Sequence, residues 1–332
     1  MSGTPGTTQR VCVIGSDNGA GLSRDLALVG SVLEAAGFQV EYRAIGGGKL
    51  RKWLLPPLVH LGNALRGRRN PRAVNLMLER IRPQYLAQAR RNVLLPNPEF
   101  FMDQDRPWLP RLDRVFAKTR HAQRIFDALG CETRRVGFTS EDRYLPEVPR
   151  ERAFFHLAGR SGAKGTEAVL AAWRAHPEWP TLTVVQGANR ARPGPAAPNI
   201  DHRIGYIDDA ALQRLQNAHR FHLCPSQTEG FGHYLVEAMS VGAVVLATDG
   251  EPMNELVTAE RGLLVPAAQT GSQRLARTFK VEPADIEAAV ARALALDDTE
   301  CRALGAAARR FFLDNDRAFR ERLVAAVREL SA

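Results

Sequence analysis

The run Pro225-Ser226-Gln227-Thr228-Glu229-Gly230-Phe231-Gly232-His233-Tyr234-Leu235-Val236-Glu237-Ala238-Met239 constrains this chain more than any other. A short apolar stretch, Phe221 to Cys224, leads into it, and Leu235, Val236 and Met239 then fall at helical spacing. After Val241-Gly242 comes a second apolar stretch, Ala243 to Ala247. That order predicts strand, loop, helix, strand, a βαβ unit with a glycine loop at the C-terminal end of its first strand. The loop and helix N-terminus of such a unit form a natural corner for an anion.

The same rhythm opens the chain. Arg10 to Gly15 predicts a strand, Ser16 to Gly21 a glycine loop, Leu22 to Ala36 a helix closed by Gly37, and Phe38 to Ile45 the next strand. Gly19-Ala20-Gly21 is followed by Arg24 where the third glycine of a dinucleotide fingerprint belongs, so that fingerprint is not supported. A phosphate-approaching loop and a plain tight turn both fit it. A helix is expected after Pro71, then strands at Val93 to Leu95, Arg114 to Lys118 and Glu132 to Phe138, with a helix at Thr119 to Leu129. Thr139 to Arg152 carries Pro146, Pro149 and mixed charge without hydrophobic period, and marks a domain boundary. Beyond it the alternation restarts. Strands are expected at Ala153 to Leu157, Thr181 to Val185, Ile204 to Ile207 and Gly262 to Val265, and helices at Val169 to Trp173, Asp209 to Ala218 and over most of Pro283 to Leu330. A chain of 332 residues accommodates two such domains.

The net charge of +9 asks for an anionic partner. Between Lys49 and Arg91 the cations meet a single acid, Glu79, and flank Trp53-Leu54-Leu55 and Leu58-Val59. Two readings of 49–91 fit equally: an anionic membrane surface or lipid-linked substrate, and a solvated arginine-rich face. Nucleic acid is not expected, because no recognised binding module accompanies the charge. No run approaches the roughly 20 apolar residues of a membrane helix, and Met1 to Arg10 lacks a signal peptide's apolar centre, so the expected location is cytoplasmic, with peripheral attachment to the inner membrane face as an extension of the membrane reading. Cys12, Cys131, Cys224 and Cys301 show no C-x-x-C spacing and read as reduced structural thiols. Asp103-Gln104-Asp105 has the form of a D-x-D metal motif, but chance matches to so short a pattern are common, and no metal is expected.

Glu229-Gly230-Phe231-Gly232 with Glu237-Ala238-Met239, then Gly242 and Val244-Val245, resembles the E-x7-E signature of retaining glycosyltransferases of the GT-B fold, in the large family 4 group. Gly159-Arg160 with Lys164-Gly165 resembles the upstream diphosphate motif of the same family. The match runs from about Ala153 to Pro266. It implies an α/β architecture of two Rossmann-like domains: 1–140 for the acceptor, a linker at 141–152, 153–314 for the nucleotide-sugar donor, and a C-terminal helix, 315–332, crossing back to the first. The implied activity is metal-independent transfer of a hexose from a nucleotide-diphosphate sugar, a co-substrate rather than a cofactor, to a glycan or lipid-linked acceptor in bacterial surface polysaccharide or glycolipid synthesis. The resemblance also implies that the anomeric configuration is retained, with a donor phosphate oxygen taking the acceptor's proton.

Residue by residue, Arg160 and Lys164 would meet the leaving diphosphate, where fixed cations stabilise a transition state more than a ground state. Glycines at 230 and 232 let backbone approach the phosphates, and the N–H groups from Gly232 through His233 and Tyr234 to Leu235 open a helix. Phe231 belongs to the same donor loop. Glu237 would reach a ribose hydroxyl and Glu229 the donor sugar, a plain helix-terminal charge being the weaker reading of Glu229. Gly15, Asn18 and Gly19 would close on the diphosphate from the first domain. Several positions depart from the family. Asn97 and Glu99 stand where many members carry a histidine, and contact with acceptor or sugar is expected ahead of a base or a plain loop acid at Glu99; His233-Tyr234 replaces an apolar residue and proline, so His233 fits a contact to donor phosphate or sugar and a helix-cap histidine alike; Asp249-Gly250-Glu251-Pro252 replaces paired glycines. Competing readings are a GT-B epimerase or phosphorylase, a non-catalytic nucleotide-sugar-binding partner of a glycan synthase, and a metal-dependent transferase using Asp103 and Asp105. A glycosidase using Glu229 and Glu237 is disfavoured, since the phosphate loops would lack a purpose.

Overall fold

A computed structural model describes residues 9–16, 21–45, 72–192 and 194–331. The chain divides into two compact units, Met1–Gly137 with Ala318–Ala332, and Phe138–Arg317. In the first, strands β1 (Arg10–Gly15), β2 (Gln39–Ala44), β3 (Arg72–Leu78), β4 (Ala89–Leu95), β5 (Arg114–Ala117) and β6 (Thr133–Arg135) form a six-stranded sheet in the order β2-β1-β3-β4-β5-β6. All its pairings are parallel. Helix α1 (Gly21–Ala35) buries Leu26, Val29, Val32 and Leu33, the apolar stripe that its spacing foretells. Helix α2 (Arg120–Ala128) starts where the Thr119 side chain accepts from the Ala122 N–H.

Residues 72–78 are not helical. They form β3, which lies inside the sheet between β1 and β4. Asn75 breaks the apolar pattern there, yet it is fully buried, because its amide donates to the Tyr85 carbonyl at 2.7 Å and to Asn92 Oδ1 at 3.1 Å. Asp103–Arg111 is a 3-10 helix that buries Asp105 and Leu109.

The second unit repeats the plan. Strands β7 (Glu151–Gly159), β8 (Leu182–Gln186), β9 (Ile200–Ile204), β10 (His219–Cys224), β11 (Val244–Thr248) and β12 (Gly262–Val265) pair in parallel in the order β12-β11-β10-β7-β8-β9. The strand expected at Ile204 to Ile207 lies earlier. Ile200 to Ile204 pair with Leu182 to Gln186, so Ile204 ends the strand. Helices α3 (Thr166–Ala175), α4 (Asp209–Ala218), α5 (His233–Ser240), α6 (Met253–Leu256) and α7 (Pro283–Ala295) connect or cover the strands. The core joins Phe154, Trp173 and Phe221 to Leu223, Val244, Leu246 and Val290. An antiparallel hairpin, β13 (Ala268–Gln273) with β14 (Ala276–Lys280), lies outside both sheets and follows no signal read from the sequence. Arg143 ties residues 138–152 to the rest of this unit: its Nη1 donates to both Asp209 carboxylate oxygens, at 2.9 and 2.8 Å, and its Nε to Gln216. Helix α8 (Asp298–Ser331) supplies residues to both units. All four cysteines are free thiols.

Candidate functional site

Strand β10 ends at Cys224, and the loop beyond it is held from several directions. Thr248 Oγ1, at the end of β11, donates to the Ser226 carbonyl at 2.7 Å. The Gln227 N–H donates to the Ala163 carbonyl, and the Phe279 N–H on β14 to the Gln227 carbonyl, both at 2.8 Å. Gly165, at φ +69°, begins α3 against Pro225, where a Cβ would collide with the proline carbonyl. The two glycine loops recognised in the sequence are thus packed side by side.

Their contact carries a closed polar cluster. Lys164 Nζ forms an ion pair with Glu229 Oε1 and sits 3.8 Å from the centroid of the Tyr234 ring. Ser226 Oγ donates to Glu229 Oε1 at 2.5 Å and lies 2.5 Å from the Tyr234 hydroxyl. The carboxylate can only accept and the serine has a single hydroxyl proton, so Tyr234 donates to Ser226 and Ser226 to Glu229. The side chains of Lys164 and Glu229 are only 16% and 12% exposed, so solvent screens the pair weakly. Burial pushes the Tyr234 phenol well above its ordinary value, helped by Cys224 and Glu229.

Gly232 caps α5 at φ +100°. The Leu235 N–H does not remain open for a ligand, because it donates to the Gly232 carbonyl at 3.0 Å, as does Val236 at 3.2 Å. The anion corner therefore narrows to the first residues of the helix. Phe231 is buried edge-on to Phe138 at 5.4 Å, and His233 Nδ1 lies 2.7 Å from Ser140 Oγ. Glu237 is buried, and its Oε2 accepts from Gln216 Nε2 at 3.0 Å, which links it through Gln216 to Arg143. Arg160 is exposed and has no carboxylate partner among the described residues. A cavity of about 360 Å3 adjoins the loops, lined by Ser161, Thr166, Gln186, Arg190 and Lys280 among others. A larger one, about 500 Å3, surrounds Arg150, Arg220 and Arg309 near the N-terminal ends of β10 and β11, away from this cluster.

His156 is a member of this region that sequence reasoning missed. Fully buried on β7, it lies with Nδ1 2.8 Å from the Leu223 carbonyl and Nε2 2.9 Å from Thr166 Oγ1. The carbonyl fixes the proton on Nδ1, so Nε2 accepts from the threonine that opens α3. Burial pushes the imidazole down to about 4. A histidine inside an apolar strand offers no periodic signal of such a role.

In the first unit, Gly15 ends β1 packed against Leu26, while Asn18 and Gly19 lie outside the described residues, as does 49–71 of the basic stretch. Asn97 precedes the short 3-10 turn Pro98–Phe100, in which Glu99 is 7% exposed. Asp105 is paired with Arg80 at 2.5 Å and Asp103 with Arg106 at 3.1 Å, so both D-x-D carboxylates already have cationic partners. Among the described residues no group of three or more His, Cys, Asp or Glu is placed to hold a metal, and no helix is long and apolar enough to cross a membrane.

Two parallel α/β units with their loops at the strand ends define the GT-B class of glycosyltransferase folds, and solved structures of that class superpose on nearly the whole chain. Sucrose-phosphate synthase from Thermosynechococcus elongatus matches with TM-score 0.72 and 18% identity over 97% of this chain and 99% of that one. A glycosyltransferase from Rickettsia africae matches with TM-score 0.70 and 12% identity over 97% and 98%. Anabaena HepE in complex with UDP and glucose matches with TM-score 0.62 and 16% identity over 96% and 98%. Residues 202–310, about a third of the chain, match the family described as Glycosyl transferases group 1, and this stretch contains the loop after β10 and all of α5. No curated protein matches the sequence.

Proposed function

We propose that this chain is a retaining glycosyltransferase of the family 4 type, which moves a hexose from a nucleotide-diphosphate sugar to a glycan or lipid-linked acceptor. The observation that carries the reading is the cluster of Tyr234, Ser226, Glu229 and Lys164 at the start of α5, inside the stretch matching Glycosyl transferases group 1. Complexes of HepE with UDP and glucose, and of a pneumococcal O-GlcNAc transferase with UDP and GlcNAc, support a nucleotide-sugar donor. Lys164 and the exposed Arg160 would take the diphosphate, and Glu229, held by Ser226, would take hydroxyls of the donor sugar. Charge building on the departing nucleotide then meets fixed cations and the opening of α5, which is how such a site lowers a barrier without a metal. Glu237 would bind the ribose and His233 the phosphate or sugar. Asn97 and Glu99 would contact acceptor or sugar. We place the enzyme in surface polysaccharide or glycolipid synthesis at the inner membrane face, on the basic stretch 49–91.

The test is incubation with UDP-, GDP- and ADP-sugars, following nucleotide release and the anomeric configuration of the product by NMR. Release should depend on acceptor, persist in EDTA, and disappear in Glu229→Ala and Arg160→Ala. Release that survives both substitutions would overturn the site. Product of inverted configuration would overturn the retaining assignment.

A further inference from the structure

Two charged side chains at the C-terminal end of β3 lack the partners that burial demands. Glu79 follows directly on Leu78 with φ +65°, a left-handed conformation that glycine or asparagine adopts more readily than glutamate. The Arg80 N–H donates to the Leu78 carbonyl at 2.7 Å, which makes Glu79 the centre of a γ-turn of the rare positive-φ form. Its own N–H donates to the Leu95 carbonyl at 2.9 Å, so the turn is tied to β4 on the neighbouring strand. The side chain is half-buried and forms no ion pair among the described residues. The cations around it are committed elsewhere: Arg80 to Asp105 at 2.5 Å and Lys118 to Asp25 at 2.8 Å. Burial pushes the Glu79 carboxyl above its ordinary value, against the pull of Lys118, Arg80 and Arg82.

Arg82 is the complementary orphan. Its Nη2 donates to Ser16 Oγ at 2.8 Å, its Nε is buried without an acceptor, and no carboxylate pairs with it among the described residues. Both groups stand at the C-terminal end of a strand inside a parallel sheet, where open α/β sheets take their ligands. A half-buried carboxylate and a half-buried guanidinium that do not pair with each other are both satisfied by one molecule carrying hydroxyls and a negative charge.

We propose that Glu79 and Arg82 bind a polyhydroxylated anion, a sugar bearing a phosphate or carboxylate, as the acceptor: Glu79 accepts hydrogen bonds from its hydroxyls and Arg82 holds its anionic group. That this molecule is the acceptor rests on the sugar-transfer reading above; that it binds does not.

The test is calorimetric titration of the full chain with glucose 6-phosphate, glucuronate and methyl glucoside, the last being the neutral control. At least one of the two anions should bind more tightly than methyl glucoside. Glu79→Gln should weaken that binding about ten- to a hundredfold, and Arg82→Gln should abolish the preference for the anion. Glu79→Gly, which suits the backbone better, should lose binding while raising Tm; a merely structural glutamate would lower Tm on the same change. If neither anion binds, or if binding is unaltered in both glutamine variants, the proposal is overturned. Glu79-dependent binding without nucleotide-sugar turnover would sink the transfer reading and leave this site standing. Turnover with acceptor saturation unchanged in Glu79→Gln would do the reverse.

Discussion

Glu229 neutralises Lys164 in a site where water screens poorly, so its removal has two separable effects. Glu229→Ala leaves a mostly buried ammonium without its anion, and should cost about 1–3 kcal/mol in urea denaturation as well as at least a hundredfold in transfer. Tyr234→Phe removes only the hydroxyl that donates to Ser226, and should cost about 1 kcal/mol with the ion pair intact. Acid should also destabilise the second unit. His156 and His222 are buried with imidazoles pushed by burial to about 4 and about 3, from an ordinary 6.5. Above pH 6.5 they are neutral whether the chain is folded or not. As pH falls below that, the unfolded chain takes up protons that the folded one refuses, so stability drops progressively until the folded values are reached. At pH 5 the loss should be about 2 kcal/mol for each histidine relative to pH 7.5, and His222→Gln should flatten that part of the Tm profile. Of these groups, Glu229 and Lys164 were legible in the sequence because they belong to a spaced motif. His156 was not, because the Leu223 carbonyl that orients it is brought near only by the fold, and Ser226 was not, because nothing in its three-residue spacing from Glu229 says that the two side chains meet.

At the scale of elements, the opening of α5 depends on one backbone conformation. Gly232→Ala places a Cβ at φ +100°, 2.6 Å from a Leu235 methyl that is itself fully buried. The strain alone costs about 1–2 kcal/mol, and relief would shift the first turn of the helix. Expected outcomes are a lower Tm and a donor affinity reduced at least tenfold, measured by calorimetry with whichever of the UDP-, GDP- and ADP-sugars the unaltered chain binds. Elements with strong periodicity or glycine boundaries, such as α1, α4 and β12, were readable within a residue or so at each end. Strand β3 was not: Arg72 and Asn75 interrupt its pattern, and only the side-chain bonds of Asn75 to the Tyr85 carbonyl and Asn92 make that polarity compatible with a buried strand. The β13–β14 hairpin escaped for the opposite reason. Its residues are mostly exposed and polar, so no hydrophobic alternation announces it.

For the molecule as a whole, α8 links the stability of the first unit to the far end of the chain. Residues 318–332 belong to that unit, where Arg114 Nη1 reaches Glu329 at 2.7 Å and Gln9 donates to the Ser331 carbonyl at 3.2 Å. Leu323 is fully buried, so Leu323→Ala should cost about 2–5 kcal/mol. Hydrogen exchange should then show protection lost in β1, β3 and β4 before β7, β10 and β11. The two-sheet architecture was legible because the βα rhythm restarts after Arg152; which unit the last helix serves was implied by family resemblance rather than readable from its own pattern. Electrostatics at this scale part from those at the site. The chain carries 45 cations against 36 acids, which draws anions toward it from a distance. Yet Lys164 arrives already paired, so Arg160, Lys164 and Glu229 present a local charge of only one. Added salt should therefore slow the encounter with a nucleotide sugar while leaving its residence time nearly unchanged, and a plain anion such as sulfate should compete poorly, having nothing to offer Glu229.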